Sequence, residues 1–391
     1  MFDTLDPLPE DPLLGLTQAY RHDPRTEKID LGVGVFKAPD GTTPIMHAVK
    51  EAERRLTQHQ MTKVYAPPVS VPGFIEGLSA LVFGDLPDAD RRIGVQAPGG
   101  CGALRLGAEL LARRGATRIL VGAPTWANHI PLMEAAGLTV DQVPFYDKAT
   151  GKQTHDQFLT AAAKLSTTDC LLLHGACHNP TGSDFSADDG AAILALAQER
   201  GFLVFIDTAY HGFARDLEAD MGMVRNFAAH LPELMVSYSC SKNFGLYRER
   251  TGAIFVQSAR PATAHAAQTH LINIARGSYS MPPAHCASIV TEILQADDLR
   301  AQWHEELDAM AGTVRTKRMM LARAARETSL GHSIDFVTEQ NGMFSLLPVD
   351  ADQVGILRER FGIYMASSGR INLCGLTEDN VGPFVRALTS V

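Results

Sequence analysis

FLVFIDTAYHGF (residues 202–213) begins as an unbroken apolar run and ends on an aspartate, a tyrosine and a histidine. A run without apolar–polar alternation reads as a strand buried on both faces. RILVGA (118–123), CLLLHG (170–175) and ELMVSYS (233–239) have the same character. Helical stretches such as ALRLGAELLARRG (103–115) and DGAAILALAQERG (189–201) lie between them. Buried strands separated by helices imply an α/β layer fold around a mainly parallel central sheet. In such sheets ligands bind beyond the carboxyl ends of the strands. The polar residues collect there: His174 to Gly182, Asp207 to Tyr210, and Ser239 to Lys242.

Outside this core the pattern changes. Residues 1–12, rich in Pro, Asp and Glu, read as an extended arm. LLGLTQAYRHD (13–23) reads as a short helix, and KIDLGVGVF (28–36) as a strand running into a glycine-rich turn. LRAQWHEELDAMAGTVRTKRMMLARAARE (299–327) reads as a long helix. IDFVTEQNGMFSLL (334–347) and GIYMASSGRINLCGL (362–376) read as a strand-rich tail. We therefore expect an arm over 1–12, a large domain over 46–310, and a smaller α/β domain from 13–45 and 311–391.

The chain has 391 residues, 45% hydrophobic and 20% charged, with a net charge of −9 and no basic block. That argues against nucleic acid as a partner. No apolar run reaches the roughly 20 residues of a membrane helix. The first residues lack a secretory pattern. Six isolated cysteines (Cys101, Cys170, Cys177, Cys240, Cys286, Cys374) suit reduced thiols in a cytoplasmic protein.

Three features carry chemistry. PGGCGALRLGAELL (98–111) is a glycine-rich turn running into a helix, a ready anion site, though it could be only a tight turn. Asp207 ends a strand and, alone, could merely cap the next helix. SYSCSKNFGLYRERTG (237–252) places Lys242 among small residues just past a strand, with Arg250 beyond. Lysines are seldom buried without a partner or a task. Desolvation lowers a lysine pKa, and the neutral amine can attack a carbonyl. A phosphate cup, a carboxylate and an amine are the set that a pyridoxal-phosphate (PLP) enzyme needs. His174 and His178 mimic a metal pair, but they straddle a strand end and share no helical face, so no metal is expected.

Eight motifs then agree in order and spacing: KIDLGVGVFK (28–37), GGCGALR (99–105), TWANH (125–129), HGACHNPTG (174–182), DTAYHGFARDLEAD (207–220), SCSKNFGLYRERTGA (239–253), RGSYSMPPAH (276–285) and SSGRIN (367–372). Over its whole length the chain resembles the aspartate/aromatic aminotransferases, class I enzymes of PLP fold type I, and among them the bacterial aromatic members. The resemblance implies that Lys242 holds PLP covalently and then carries a proton to and from substrate Cα. Asp207 would keep the pyridine nitrogen protonated, and Tyr210 and Asn179 would face the phenolic oxygen. Trp126 would stack on the ring, with His129 and His174 beneath it. Gly100, Cys101, Ser239 and Arg250 would bind the phosphate, joined by Tyr65 from a partner subunit. Arg370 would grip the substrate α-carboxylate, assisted by Asn179 and Gly34, while Arg276 of the neighbour would meet a distal carboxylate. A homodimer with shared active sites follows, acting on small amino acids and 2-oxo acids.

Two positions depart from the family pattern. Cys101 stands where a threonine usually donates to the phosphate, and a thiol is a weaker donor. Met281 stands where aspartate-specialised relatives tend to have Asn; a flexible apolar side chain suits a pocket for varied shapes. Phe36 and Leu13 add apolar candidates for the pocket wall. The expectation is an aminotransferase taking aromatic amino acids or aspartate, with 2-oxoglutarate as acceptor. The alternatives are an aspartate-specialised enzyme, a PLP lyase or decarboxylase on the same fold, and a non-catalytic PLP sensor.

Overall fold

A computed structural model describes residues 2–8 and 12–391; the side chains of residues 12 and 13 are outside the description, Leu13 of the expected pocket wall among them. The strands in chain order are β1 (Ile29–Asp30), β2 (Arg92–Pro98), β3 (Arg118–Ala123), β4 (Thr139–Pro144), β5 (Tyr146–Asp147), β6 (Lys152–Gln153), β7 (Asp169–His174), β8 (Leu203–Thr208), β9 (Leu234–Ser239), β10 (Thr251–Gln257), β11 (Phe344–Leu346), β12 (Ile363–Tyr364) and β13 (Arg370–Asn372). Seven of them form the central sheet in the order β2-β10-β9-β8-β7-β3-β4. Neighbours from β9 through β8, β7 and β3 to β4 are parallel. β10 runs antiparallel to both β9 and β2. Every residue of β7, β8, β9 and β10 is buried, which is why the first three read as apolar runs without alternation.

Local signals set the helices between them. Ala187–Arg200 starts in a capping box of Ser186 with Asp189 and stops at Gly201, whose φ is 74°. Gly99–Arg113 has no side-chain cap at its start, so its first N–H groups stay open to a ligand.

Two sequence readings change. Of KIDLGVGVF only Ile29–Asp30 is strand, paired with β12. The following carbonyls are taken by side chains: Arg370 donates to Gly32 O, and Asn372 donates to Val33 O and Val35 O. With those groups spoken for, the segment has no ladder to join. The tail is also poorer in strand than its composition suggests: Asp335–Thr338 is a 3-10 turn, and the strands there form two-stranded pairs, β1–β12 and β11–β13.

Asp297–Arg326 is one continuous helix of 30 residues. Its first half packs Leu299, Trp303, Leu307, Ala311 and Val314 into the core that covers the central sheet. Its last turns pack Leu321, Ala322 and Ala325 into a second core with Ile29, Leu31, Leu357 and Phe384. No helix of the described residues is long and apolar enough to cross a membrane.

Candidate active site

Strand register builds the floor of the site. His174 of β7 lies beside Asp207 of β8, and Asp207 lies beside Ser237 of β9. Beyond the carboxyl ends of these strands is a cavity of about 210 Å³. Lys242, Asp207, Tyr210, Trp126 and Asn179 line it, as do Gly100, Cys101, Ser239 and Arg250, and also Gly34 and Arg370.

Lys242 is half-buried, and its amine lies 4.7 Å from the centroid of the Tyr210 ring. Burial pulls its pKa down to about 8; the Asp207 carboxylate opposes that fall, and the Arg250 charge adds to it. A lysine in this range has an appreciable neutral fraction near neutral pH.

Asp207 is buried, and burial alone would raise its pKa. The net shift is downward, because His129 hydrogen-bonds it and Ser237 also donates. Ser237 Oγ lies 2.6 Å from Asp207 Oδ1, and His129 Nε2 lies 3.3 Å from Oδ2. Behind them, Thr125 Oγ1 lies 2.8 Å from His129 Nδ1 and 3.1 Å from His174 Nε2. Burial pushes His174 down to about 3, so it is neutral. The His174 and His178 rings meet at a tilt of 49° with centroids 4.0 Å apart, and Thr181 Oγ1 engages His178 Nδ1. The Trp126 ring meets His129 edge-on at 5.3 Å.

At the far end is an anion cup. Because β10 is antiparallel, its first residues return to the carboxyl ends of β9 and β2: Thr251 pairs with Pro98, and Gly252 with Ser239. That brings Arg250, Ser239 and the start of the Gly99–Arg113 helix together. Gly99 has φ 71°, and a Cβ there would come within 2.6 Å of Arg250 Nη2. Only glycine leaves room for the guanidinium at this helix start. Arg250 itself holds φ 54°, a left-handed conformation rare for a bulky residue and often kept at functional sites. Asn128 Nδ2 donates to Cys101 Sγ at 3.4 Å, so the thiol accepts rather than donates in that contact.

Arg370, on β13, closes the opposite end. It is buried; Nη1 donates to Asn179 Oδ1 at 3.3 Å and Nη2 to Gly32 O at 2.9 Å. Its Nε has no hydrogen-bond partner. The guanidinium carbon lies 4.4 Å from the Phe344 ring centroid. A buried guanidinium with an unpaired N–H and no carboxylate beside it has the chemistry to receive one.

Tyr65 and Arg276 are not brought to this cavity: Tyr65 is 88% exposed, and exposed Arg276 donates to Ser280 Oγ at 2.7 Å. Met281 is also absent from the lining. Phe36 is buried, with its N–H donating to Tyr247 OH at 2.9 Å. The sequence reading missed Gly99, Thr125, Tyr247 and Phe344. Tyr247, three residues before Arg250, and Thr125, next to Trp126, sat inside quoted motifs. Phe344 carries no local signal.

The class I and II aminotransferase family model matches residues 26–388. A tyrosine aminotransferase of Rhizobium meliloti is 43% identical over 391 residues, covering 100% of both chains. An aspartate aminotransferase of Salmonella typhi is 40% identical over 395 residues, again covering 100% of both. The solved aromatic-amino-acid aminotransferase of Burkholderia pseudomallei, covalently bound to pyridoxal phosphate, superposes with a TM-score of 0.97 at 34% identity, covering 100% of this chain and 99% of that one. With its lysine, carboxylate, anion cup and arginine gathered in one cavity, this chain belongs to the class I and II aminotransferases.

Proposed function

We propose that the protein is a PLP-dependent aminotransferase that moves an amino group from an aromatic amino acid or aspartate to 2-oxoglutarate by a ping-pong cycle, working as a homodimer. One observation carries the reading: the Lys242 amine, held at about 8, shares a small cavity with the Asp207 carboxylate and the Arg370 guanidinium. The full-length relatives named for tyrosine and for aspartate support both donor classes.

The residues fit the cofactor by their donor chemistry. Uncapped N–H groups at Gly100 and Cys101, with Ser239 and Arg250, suit a phosphate dianion. A carboxylate held ionised at Asp207 suits a protonated ring nitrogen. Asn179 and Tyr210 would face the phenolic oxygen, Trp126 the ring, and Lys242 the covalent link. When bound, PLP supplies an electron sink for charge developing at substrate Cα.

The protein's own part is to bind, orient and move a proton. Arg370 and Asn179 take the α-carboxylate with the Gly34 backbone beside them, which fixes the substrate in the cavity. The Lys242 amine would take the proton from substrate Cα and deliver it to the cofactor's C4′, a 1,3 transfer across the nitrogen, a task suited to a base near neutral pKa. His129 and Ser237 keep Asp207 charged throughout. Arg276, supplied across the dimer, meets a distal carboxylate, and Tyr65 reaches the phosphate from the same side. The exposure of both residues in the single chain supports that assignment. The same proposal divides the chain into a domain over 46–310 and one from 13–45 with 311–391, on the strength of the two cores. It places the protein in the cytoplasm, in keeping with six unpaired cysteines.

The test is a half-reaction. Glutamate or phenylalanine added alone to the holoenzyme converts the cofactor absorbance to its amine form, releasing one 2-oxo acid per site. Release of ammonia or carbon dioxide instead would assign a lyase or a decarboxylase.

A further inference from the structure

Arg318 lies on the Asp297–Arg326 helix, 2% exposed. Among the described residues it has no salt bridge to a carboxylate. Its partners are main-chain carbonyls and one hydroxyl. Nε donates to Gly342 O at 3.1 Å, and Nη1 donates to Val337 O at 2.8 Å and Ser345 Oγ at 2.9 Å. Nη2 reaches Asn341 O and Gly342 O, each at 2.7 Å, and Phe344 O at 2.6 Å. Burial lowers its pKa to about 10, so it remains a cation. The nearest carboxyl, Asp184, acts on it only at a distance and is itself hydrogen-bonded by Asn341 Nδ2 at 3.0 Å, so the guanidinium's direct partners are neutral dipoles, a costly way to bury a cation that apolar packing could replace at less cost.

The carbonyls it gathers belong to the segment that bends at Gly342, where φ is 71°, and enters β11 at Phe344. β11 pairs with β13, so Leu346 lies opposite Arg370. The Phe344 ring then sits under the Arg370 guanidinium and edge-on to Tyr210 at 6.0 Å. The segment Arg318 gathers also touches the other wall of the carboxylate site, where Asn341 N–H donates to Gly182 O at 2.7 Å. A Cβ on Gly182 would come within 2.4 Å of Phe344 O and 2.9 Å of Arg318 Nη2. Gly182 closes the turn that carries Asn179, the acceptor of Arg370 Nη1. Both supports of Arg370, the ring beneath it and the amide beside it, are thus tied to the 341–344 backbone that this one guanidinium holds.

We infer that Arg318 is a positioning residue for the carboxylate receptor: by knotting the 337–345 backbone, it holds Phe344 and the Asn179 turn so that Arg370 meets the substrate α-carboxylate in one geometry. This rests on the reading of Arg370 under the proposed function. Every donor and every acceptor presents an α-carboxylate, so the effect is common to all substrates. It is unlike a side-chain pocket residue, which would separate aromatic from dicarboxylic substrates.

The test is Arg318→Lys in the holoenzyme, with KM and kcat for phenylalanine, aspartate and 2-oxoglutarate, and with Phe344→Leu and the double variant. A point charge cannot serve a fork of carbonyls. KM is expected to rise about tenfold for all three substrates by a common factor, with kcat falling less, because ground-state capture is what is lost. Phe344→Leu should give the same pattern, and the double variant should fall short of the product of the singles. Folded Arg318→Lys with unchanged KM values, or with aromatic and dicarboxylic KM values diverging, overturns the inference. Should Arg318→Lys fail to accumulate, Ser345→Ala removes one acceptor while leaving the backbone; an unchanged KM there also overturns it. Arg370→Lys separates the two readings. If it leaves KM unchanged, the assignment of Arg370 fails; if it raises KM while Arg318→Lys does not, only this inference fails.

Discussion

His129 and Asp207, 78 residues apart in the chain, meet in the floor of the site with Nε2 3.3 Å from Oδ2, both side chains buried. The carboxylate would otherwise be driven toward its neutral form by burial; this contact and Ser237 reverse that.

Because the folded-state pKa of Asp207 is lowered, it stabilises the fold above the ordinary carboxylate range, and that contribution is lost as pH falls through the folded value. His129→Leu removes the donor, so the loss sets in at higher pH. The acid limb of kcat/KM against pH moves upward. His129→Asn, which keeps an amide donor, moves it less. Unmoved acid limbs in both variants would show that His129 does not set the charge of Asp207.

Lys242 gives the second prediction. Its pKa of about 8 lies below that of a free lysine, so at pH 7 about one amine in ten is neutral. The rate at which the cofactor-free enzyme captures PLP covalently rises about tenfold per pH unit up to about 8 and then levels. The sign for stability is the same: between the folded value and the free value the unfolded chain binds more protons, so the cofactor-free protein gains stability as pH rises through that window. A capture rate flat between about pH 6 and 9 contradicts the assignment. Lys242→Ala should lower transamination by about 10⁴-fold, and appreciable remaining activity would move the proton transfer to another residue.

Cys101 is a weak donor at the mouth of the anion cup, already accepting from Asn128. In Cys101→Thr a hydroxyl can accept from Asn128 and donate to a phosphate oxygen. A gain of about 1 kcal/mol corresponds to PLP held about fivefold more tightly, measured as the dissociation constant of the cofactor. Equal or weaker binding sinks the idea.

Arg276 separates the donor classes. Arg276→Ala removes a charge-assisted contact, so kcat/KM for aspartate falls about 10- to 100-fold while that for phenylalanine stays within about threefold. Equal losses for both donors would mean that Arg276 is needed for the assembly of the site rather than for the distal carboxylate.

Much of the site was legible because its chemistry is local. Asp207 ends a strand whose burial is written in its apolar run, and Lys242 follows a second such strand. The glycines at 99–102 start a helix that needs no long-range information to bind an anion. The quoted segments marked the parallel strands β3, β7 and β9 within a residue of their ends, and the run opening at Phe202 marked the start of β8 as closely. Less was legible where backbone groups answer to distant side chains. The 28–36 segment has the composition of a strand, yet Arg370 and Asn372 take its carbonyls from some 340 positions away.

The sequence by itself determined the parallel α/β layer and the placing of a lysine, a carboxylate and a glycine-rich helix start beyond the strand ends, because burial pattern and residue chemistry are properties of short segments. Only the tertiary structure decided how these meet. The antiparallel course of β10 returns Arg250 to the helix start at Gly99, and the pairing of β11 with β13 slides Phe344 under Arg370. Strand direction and register are set by the packing of the whole sheet, which no short segment encodes.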